Sequence, residues 1–388
     1  MTDVLIVGAG PVGMLLAAEL ARLGAEASVV ESRIAASPGT RAVGLHAPAL
    51  SALEASGATD RLLADAHLVR SGVALSAGRL LGTVRFDRLR SRHPYVATLP
   101  QHATEAALLA TSARWGAPDI RRGVTVQAVR PGNADGAVTV ESEGPEGPAA
   151  ERVGLVVIAT GWRGRAISPL TTAVRVREYP DRYLMTDARD TSTDGSAAVV
   201  RLETDGVLES FPLPGRMRRY VAWVPPGGAE DGVAAADRLR GIVARRMRTD
   251  HGADAITAAT AFGVRRALIP AMRADRVFAI GDAAHEVSPI GGQGMNLGLI
   301  DAATLAPLLA RWVQTGRAPE DELRAWERRR LVSARRAGHL AALNTTLGRP
   351  LSSRRAPLVR ATLRTALAGR PGTLFAHLYT MGRDTDAR

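Results

Sequence analysis

An α/β fold with a β-rich insertion and a helical C-terminus is what this sequence predicts, and three features carry that reading. Asp3-Val4-Leu5-Ile6-Val7 is an apolar run of strand type that meets the turn Gly8-Ala9-Gly10-Pro11-Val12-Gly13. Two further apolar runs, residues 155–159 and 276–280, suit strands buried in a parallel sheet. Most of residues 167–269, by contrast, have short β pieces broken by turns.

The opening stretch organises the rest. After the glycine turn, residues 14–23 carry Leu15, Leu16, Leu20 and Leu23 near helical spacing, and Gly24 stands where a C-cap glycine belongs. A second β run, Ala27-Ser28-Val29-Val30, ends in Glu31. Strand, Gly-x-Gly-x-x-Gly turn, helix, strand and acid within about 30 residues form the dinucleotide fingerprint of a Rossmann-like unit. Gly8 permits the tight turn, Gly10 lets a pyrophosphate approach the backbone, and Gly13 allows helix and sheet to pack closely. The helix N-terminus offers free N–H groups to phosphates, and Glu31 is an acceptor for a ribose diol. The fingerprint alone leaves open which dinucleotide is bound.

Next come a loop through Arg41, a helical pattern over 48–55 and short β pieces between 69 and 95. An amphipathic helix is expected over 103–115. Residues 124–129, 137–140 and 152–159 read as strands, with a turn or loop over 144–150. Strands are expected at 174–177, 197–202 and 220–224, a turn at 211–215 and a helix at 231–248. The second informative stretch is the strand 276–280, the turn Gly281-Asp282-Ala283-Ala284-His285 and the glycine loop 289–296, followed by a helix over 297–312. Asp282 thus stands at the C-terminal end of a strand, where open α/β sheets bind ligands. Residues 319–388 read as Arg-rich helices.

Composition narrows the partners. The 388 residues carry a formal charge of +12, no Cys and no Lys, so disulfides, thiolate metal sites and a thiol nucleophile are excluded. The Arg residues are scattered and aromatics make up only 4%, which argues against nucleic acid as a partner. No run is long enough to span a membrane and no signal-peptide pattern opens the chain, so a cytoplasmic protein is expected. No cluster has metal-ligand spacing, and Ser168-Pro169 and Ser288-Pro289 lack a nucleophile-elbow context. His46 and His285 are read as structural rather than proton-carrying, and Arg216, Arg218 and Arg219 as a solvated turn rather than an anion site.

The two glycine motifs, in this order, resemble the class A flavoprotein monooxygenases of the para-hydroxybenzoate hydroxylase type. The resemblance implies a discontinuous FAD-binding domain (GR2-type, a ββα sandwich) of residues 1–70, 97–165 and 270–318, an inserted substrate-binding β-sheet domain of residues 71–96 and 166–269, and a C-terminal helical segment, 319–388. It assigns FAD contacts to Gly8, Gly10, Pro11, Val12, Gly13, Glu31, Ser32, Arg33, Arg41, Gln101 and Val126, and to Thr160, Gly161, Gly281, Asp282, Pro289, Gly292, Gly294, Met295 and Asn296. Pro289 and Gly291 would shape the wall beside the reacting oxygen. Where the family has an Asp-Gly pair this chain has Thr160-Gly161, which leaves the handling of the nicotinamide open. The implied activity is NADPH- or NADH-driven transfer of one oxygen atom of O₂, through a flavin C4a-hydroperoxide, to an aromatic or polycyclic small molecule, in secondary metabolism. Baeyer–Villiger or epoxidising chemistry and a flavin reductase or dehydrogenase are the alternatives. A non-catalytic flavoprotein scaffold is a further one. The length is that of compact members without a thioredoxin-like C-terminal domain. The oligomeric state is not readable.

Overall fold

A computed structural model describes residues 3–35, 43–132, 136–171, 174–225, 231–352, 354–368, 376–377 and 379–381. Its centre is a six-stranded sheet in the order Arg273–Ala274, Val277–Ala279, Leu155–Ile158, Val4–Val7, Ala27–Glu31, Ile120–Arg122. All neighbours are parallel except the outermost pair, Arg273–Ala274 with Val277–Ala279. The strands Val4–Val7 and Leu155–Ile158 are wholly buried, as runs of Val, Leu and Ile covered on both faces must be. Helix Pro11–Arg22 packs on this sheet through Leu15, Leu16 and Leu20, each fully buried. Burial of such a side chain stabilises by about 1.5–3 kcal/mol. The same helix contacts the helices Gln101–Arg114 and Gln293–Thr315.

A second sheet has eight strands in the order His285–Glu286, Thr260–Leu268, Arg175–Arg189, Met217–Val224, Gly206–Leu213, Ala198–Glu203, Ser71–Ser76, Arg79–Arg85. Neighbours are antiparallel, except that Ala198–Glu203 runs parallel to Ser71–Ser76. One face packs on helix Val233–Met247 through Leu184, Leu208, Tyr220 and Ala222. The other bears Tyr183, Met185, Val207, Val221 and Trp223. The strand His285–Glu286 follows directly from the first sheet's last parallel strand by way of the turn Gly281–Ala283, so the two sheets are joined at that turn. Helix Ala356–Leu367 closes on the far edge, where a Cβ on Gly82 would lie 2.4 Å from the Leu367 Cβ.

Three local expectations are corrected. The run 152–159 is not one strand: Gly147–Val153 pairs in a hairpin with Val138–Gly144, Gly154 turns the chain, and Leu155–Ile158 enters the parallel sheet. A Cβ on Gly154 would meet the Asp3 carbonyl at 2.7 Å, so the change of sheet needs glycine there. Phe211, Pro212 and Leu213 are not a turn but the end of the strand Gly206–Leu213, and the chain reverses at Pro214–Arg216. The long helix begins at Gln293 rather than residue 297, because Gly292 adopts φ +66° as its N-cap and lets the glycine loop run straight into the first turn.

Candidate functional site

Gly8, Thr160 and Asp282 follow three neighbouring parallel strands and meet at the C-terminal edge of the six-stranded sheet. The backbone demands the glycines there. Gly8 has φ +109°, and a Cβ on Gly13 would lie 2.0 Å from the Gly8 carbonyl oxygen. A Cβ on Gly10, in contrast, would meet nothing within 4 Å, so the space above that peptide is open. Gly10 is also the N-cap of helix Pro11–Arg22 and provides no side-chain cap, which leaves the first-turn N–H groups facing this space.

Glu31 closes one end. Its carboxylate accepts from the Ala9 N–H at 2.9 Å, the Arg33 N–H at 2.9 Å and the Arg33 guanidinium at 3.0 and 3.1 Å. Burial opposes its ionisation, but these donors outweigh it and hold the pKa at about 2. At the other end, Gly281 (φ +63°), Gly291 (φ +105°) and Gly292 (φ +66°) bend the second glycine segment around the cavity.

That segment is braced from behind. The Asn296 side chain accepts from the His46 N–H and donates to the carbonyls of Gly44 and Gly292, all at 2.8 Å. Asp301, fully buried, accepts from the Gly281 N–H at 3.0 Å, His285 Nε2 at 2.6 Å and Arg330 Nε at 2.7 Å. Burial disfavours charge on both members of the His285–Asp301 pair. Their mutual attraction prevails, so Asp301 is held below the usual carboxylate range and His285 is raised above the usual imidazole range. His46 has no such partner, and burial lowers its pKa to about 4. Arg165 grips the turn from the third side, donating to the carbonyls of Asp282 and Ala283 and to Glu286. Arg265 pairs with Glu286 and stacks 3.6 Å over the Trp162 ring.

These features frame one cavity of about 730 Å³, within the span of roughly 300–1,000 Å³ of ligand sites. Gly8, Gly10, Pro11, Val12, Glu31, Ser32, Arg33, Gln101, Val126, Thr160 and Gly161 line it, as do Gly281, Asp282, Pro289, Gly291, Gly292, Gly294 and Met295. Gly13 and the Asn296 side chain lie behind it, and Arg41 falls outside the described residues. The cavity continues under the eight-stranded sheet, where Val200, Val207, Phe211, Val221 and Phe262 make an apolar wall. Glu209, Arg219 and Tyr379 also line it, and sequence reasoning missed all three as site residues. Arg218 and Arg219 are not a solvated turn: both are fully buried and paired with Asp190 and Asp187. The available signal was alternation: Val207, Glu209 and Phe211 share one strand face, an acid between two apolar residues.

An open approach above Gly10, uncapped helix N–H groups, an acid after the second strand and a second glycine cradle at Gly291–Gly292 together fit an extended dinucleotide such as FAD. The FAD binding domain family matches residues 1–341. The chain belongs to this family, the class A flavoprotein monooxygenases of the para-hydroxybenzoate hydroxylase type. Rifampicin monooxygenase of Streptomyces venezuelae is 33% identical over 326 residues, covering 82% of this chain and 66% of that protein. 6-Methylpretetramide 4-monooxygenase of Streptomyces rimosus is 31% identical over 385 residues, covering 94% of this chain and 63% of the relative. The chain therefore spans just under two thirds of the length of these relatives. The crystal structure of p-nitrophenol 4-monooxygenase from Pseudomonas putida DLL-E4 superposes with a TM-score of 0.86 over 100% of this chain and 99% of that one, at 23% identity, a likeness of fold. Among the described residues, no helix is long and apolar enough to cross a membrane and no group of three or more His, Asp or Glu side chains is placed to hold a metal.

Proposed function

We propose that this protein is an FAD-dependent monooxygenase that adds one atom of O₂ to an aromatic or polycyclic small molecule, with NADPH or NADH as the electron source, in cytoplasmic secondary metabolism. The observation that carries this reading is the continuity of the cavity, from the glycine turns at the sheet edge to the apolar wall of the second sheet. The family and the names of the relatives, a rifampicin monooxygenase and a 6-methylpretetramide 4-monooxygenase, support it. In this reading residues 1–70, 97–165 and 270–318 hold the cofactor, while 71–96 and 166–269 enclose the substrate.

FAD, when bound, supplies the redox chemistry: it accepts a hydride from the nicotinamide and activates O₂. The protein supplies position and field. Gly10 and the N-terminus of helix Pro11–Arg22 hold the pyrophosphate. Arg33 fixes Glu31, whose remaining lone pairs accept from a ribose. The family resemblance assigns FAD contacts to Arg41, Gln101 and Val126, the last at the adenine, and Asp282 would receive the ribityl hydroxyls. Thr160 and Gly161 flank the flavin's approach. Gly292, Gly294 and Met295 would offer backbone N–H groups at a helix N-terminus to negative charge on a bound flavin. Pro289 and Gly291 would shape the wall of the substrate space, and the apolar face would keep water from it.

The test is ¹⁸O₂ turnover. FAD-loaded protein is given NADPH or NADH and a panel of polycyclic phenols. One labelled oxygen in the product per O₂ consumed is the expected result. Nicotinamide oxidation that yields only peroxide or a reduced organic product across the panel would contradict it.

A further inference from the structure

Glu209 sits in the middle of the apolar wall. Its strand, Gly206–Leu213, turns Leu208 toward helix Val233–Met247 and Ser210 toward Asp194, which leaves Val207, Glu209 and Phe211 on the cavity face. The residues directly opposite Glu209 on the two neighbouring strands are Val200 and Val221. The nearest cation on that face by register is Arg219, one step away on the diagonal. Its guanidinium is bound to Asp187 in two bonds of 2.6 and 2.7 Å. Glu209 is only 8% exposed, and no hydrogen bond or ion pair reaches it among the described residues. A carboxyl so enclosed without a protein partner is costly to keep ionised. A carboxyl kept at the centre of a ligand cavity at that cost has its partner in the ligand.

We propose that Glu209 is a catalytic residue of the oxygenation assigned above: it accepts a hydrogen bond from an aromatic hydroxyl of the substrate and takes its proton. The substrate class is thereby narrowed to phenols and their polycyclic equivalents. The O–H bond of the hydroxyl breaks, its electron pair stays on the phenol oxygen, and the proton forms the new bond to a Glu209 carboxyl oxygen. The phenolate pushes density into the ring, which is what an electrophilic oxygen requires. When product leaves, the proton passes to water. The surroundings suit this exchange. Burial raises the Glu209 pKa to about 7, so it both accepts and returns a proton near neutrality. The charged and titratable groups facing it are Tyr183, two strands away in the same sheet, Tyr379 from the C-terminal segment and the Arg219–Asp187 pair. Both tyrosines are pushed upward, by burial first and by the Glu209 charge second, so they stay protonated and do not compete as bases.

The inference rests on the monooxygenase reading, and its test is a binding experiment separate from turnover. FAD-loaded protein is titrated with 4-nitrophenol, whose phenol and phenolate absorb at different wavelengths, and with its methyl ether. The wild type is expected to bind the phenol at least about tenfold more tightly than the ether and, near pH 7 where Glu209 is partly ionised, to hold a larger fraction of it as phenolate than free solution does at the same pH. Glu209→Leu should bring that ratio to about one, and the isosteric Glu209→Gln should keep the bound probe in its neutral form. An unchanged ratio in the first variant, an unchanged phenolate fraction in the second, or a wild type without preference would overturn the proposal. If Glu209→Leu does not retain flavin, the Glu209→Gln absorbance decides alone. Absence of flavin or of O₂ use in the wild type would instead count against the monooxygenase assignment.

Discussion

The unpaired Glu209 carboxyl also makes a prediction about stability. It ionises near pH 4.5 in the unfolded chain and near 7 in the folded protein. Folding therefore holds an extra proton between those values. The stability this group contributes is fully present below pH 4.5 and is lost as pH rises through 7. Glu209→Gln removes the penalty, so above pH 7 the variant should be more stable than the wild type by up to about 3 kcal/mol. Below pH 4.5 that advantage should vanish. Urea unfolding at both pH values checks this, and an advantage that does not depend on pH would show that Glu209 has a partner. Asp301 is the opposite case, since it joins His285, Arg330 and the Gly281 N–H in one buried network. Asp301→Ala removes the carboxylate that the fully buried Arg330 and His285 share, and the expected loss is about 3–5 kcal/mol. A thermal scan that moves by only a degree or two would mean the network relaxes around the gap.

At the scale of the element, the first glycine turn separates folding from binding. Gly13→Ala drives a Cβ to within 2.0 Å of the Gly8 carbonyl oxygen, a clash with backbone that no rotamer change relieves. That variant should fail to accumulate as folded protein. Gly10 has ordinary extended dihedrals (φ −77°, ψ −179°) and open space at its Cβ. Gly10→Ala should therefore keep or slightly raise stability while weakening FAD binding at least about tenfold, as read by flavin fluorescence on titration. If both glycine variants fold and bind alike, the turn is not a phosphate cradle. The contrast also explains what was legible in the sequence. Gly8, Gly281 and Gly292 occupy positive φ, and such demands are written in residue type. The positions of Glu209 and Arg219 depend on how long strands register across the eight-stranded sheet. The prolines and glycine at 212–215 disguised the end of one strand as a loop. The split at Gly154 was hidden for a similar reason, because a single apolar run served two sheets.

At the scale of the molecule, the parallel sheet presents glycine turns, the antiparallel sheet presents an apolar wall, and the turn Gly281–Ala283 with its brace Arg165 joins them around one cavity. A ligand spanning that seam stabilises both sheets by mass action. FAD at about 100 times its Kd should add about 2.7 kcal/mol, so removing the flavin should lower Tm and refilling should restore it. An apoprotein that melts at the same temperature as the loaded protein would contradict this coupling. The most direct test of the central claim is the visible spectrum of the purified protein after incubation with FAD and gel filtration, followed by anaerobic addition of NADPH or NADH. The account predicts that a flavin spectrum comigrates with the protein and bleaches when nicotinamide and a phenolic ligand are both present. A protein that emerges colourless after reconstitution would contradict it.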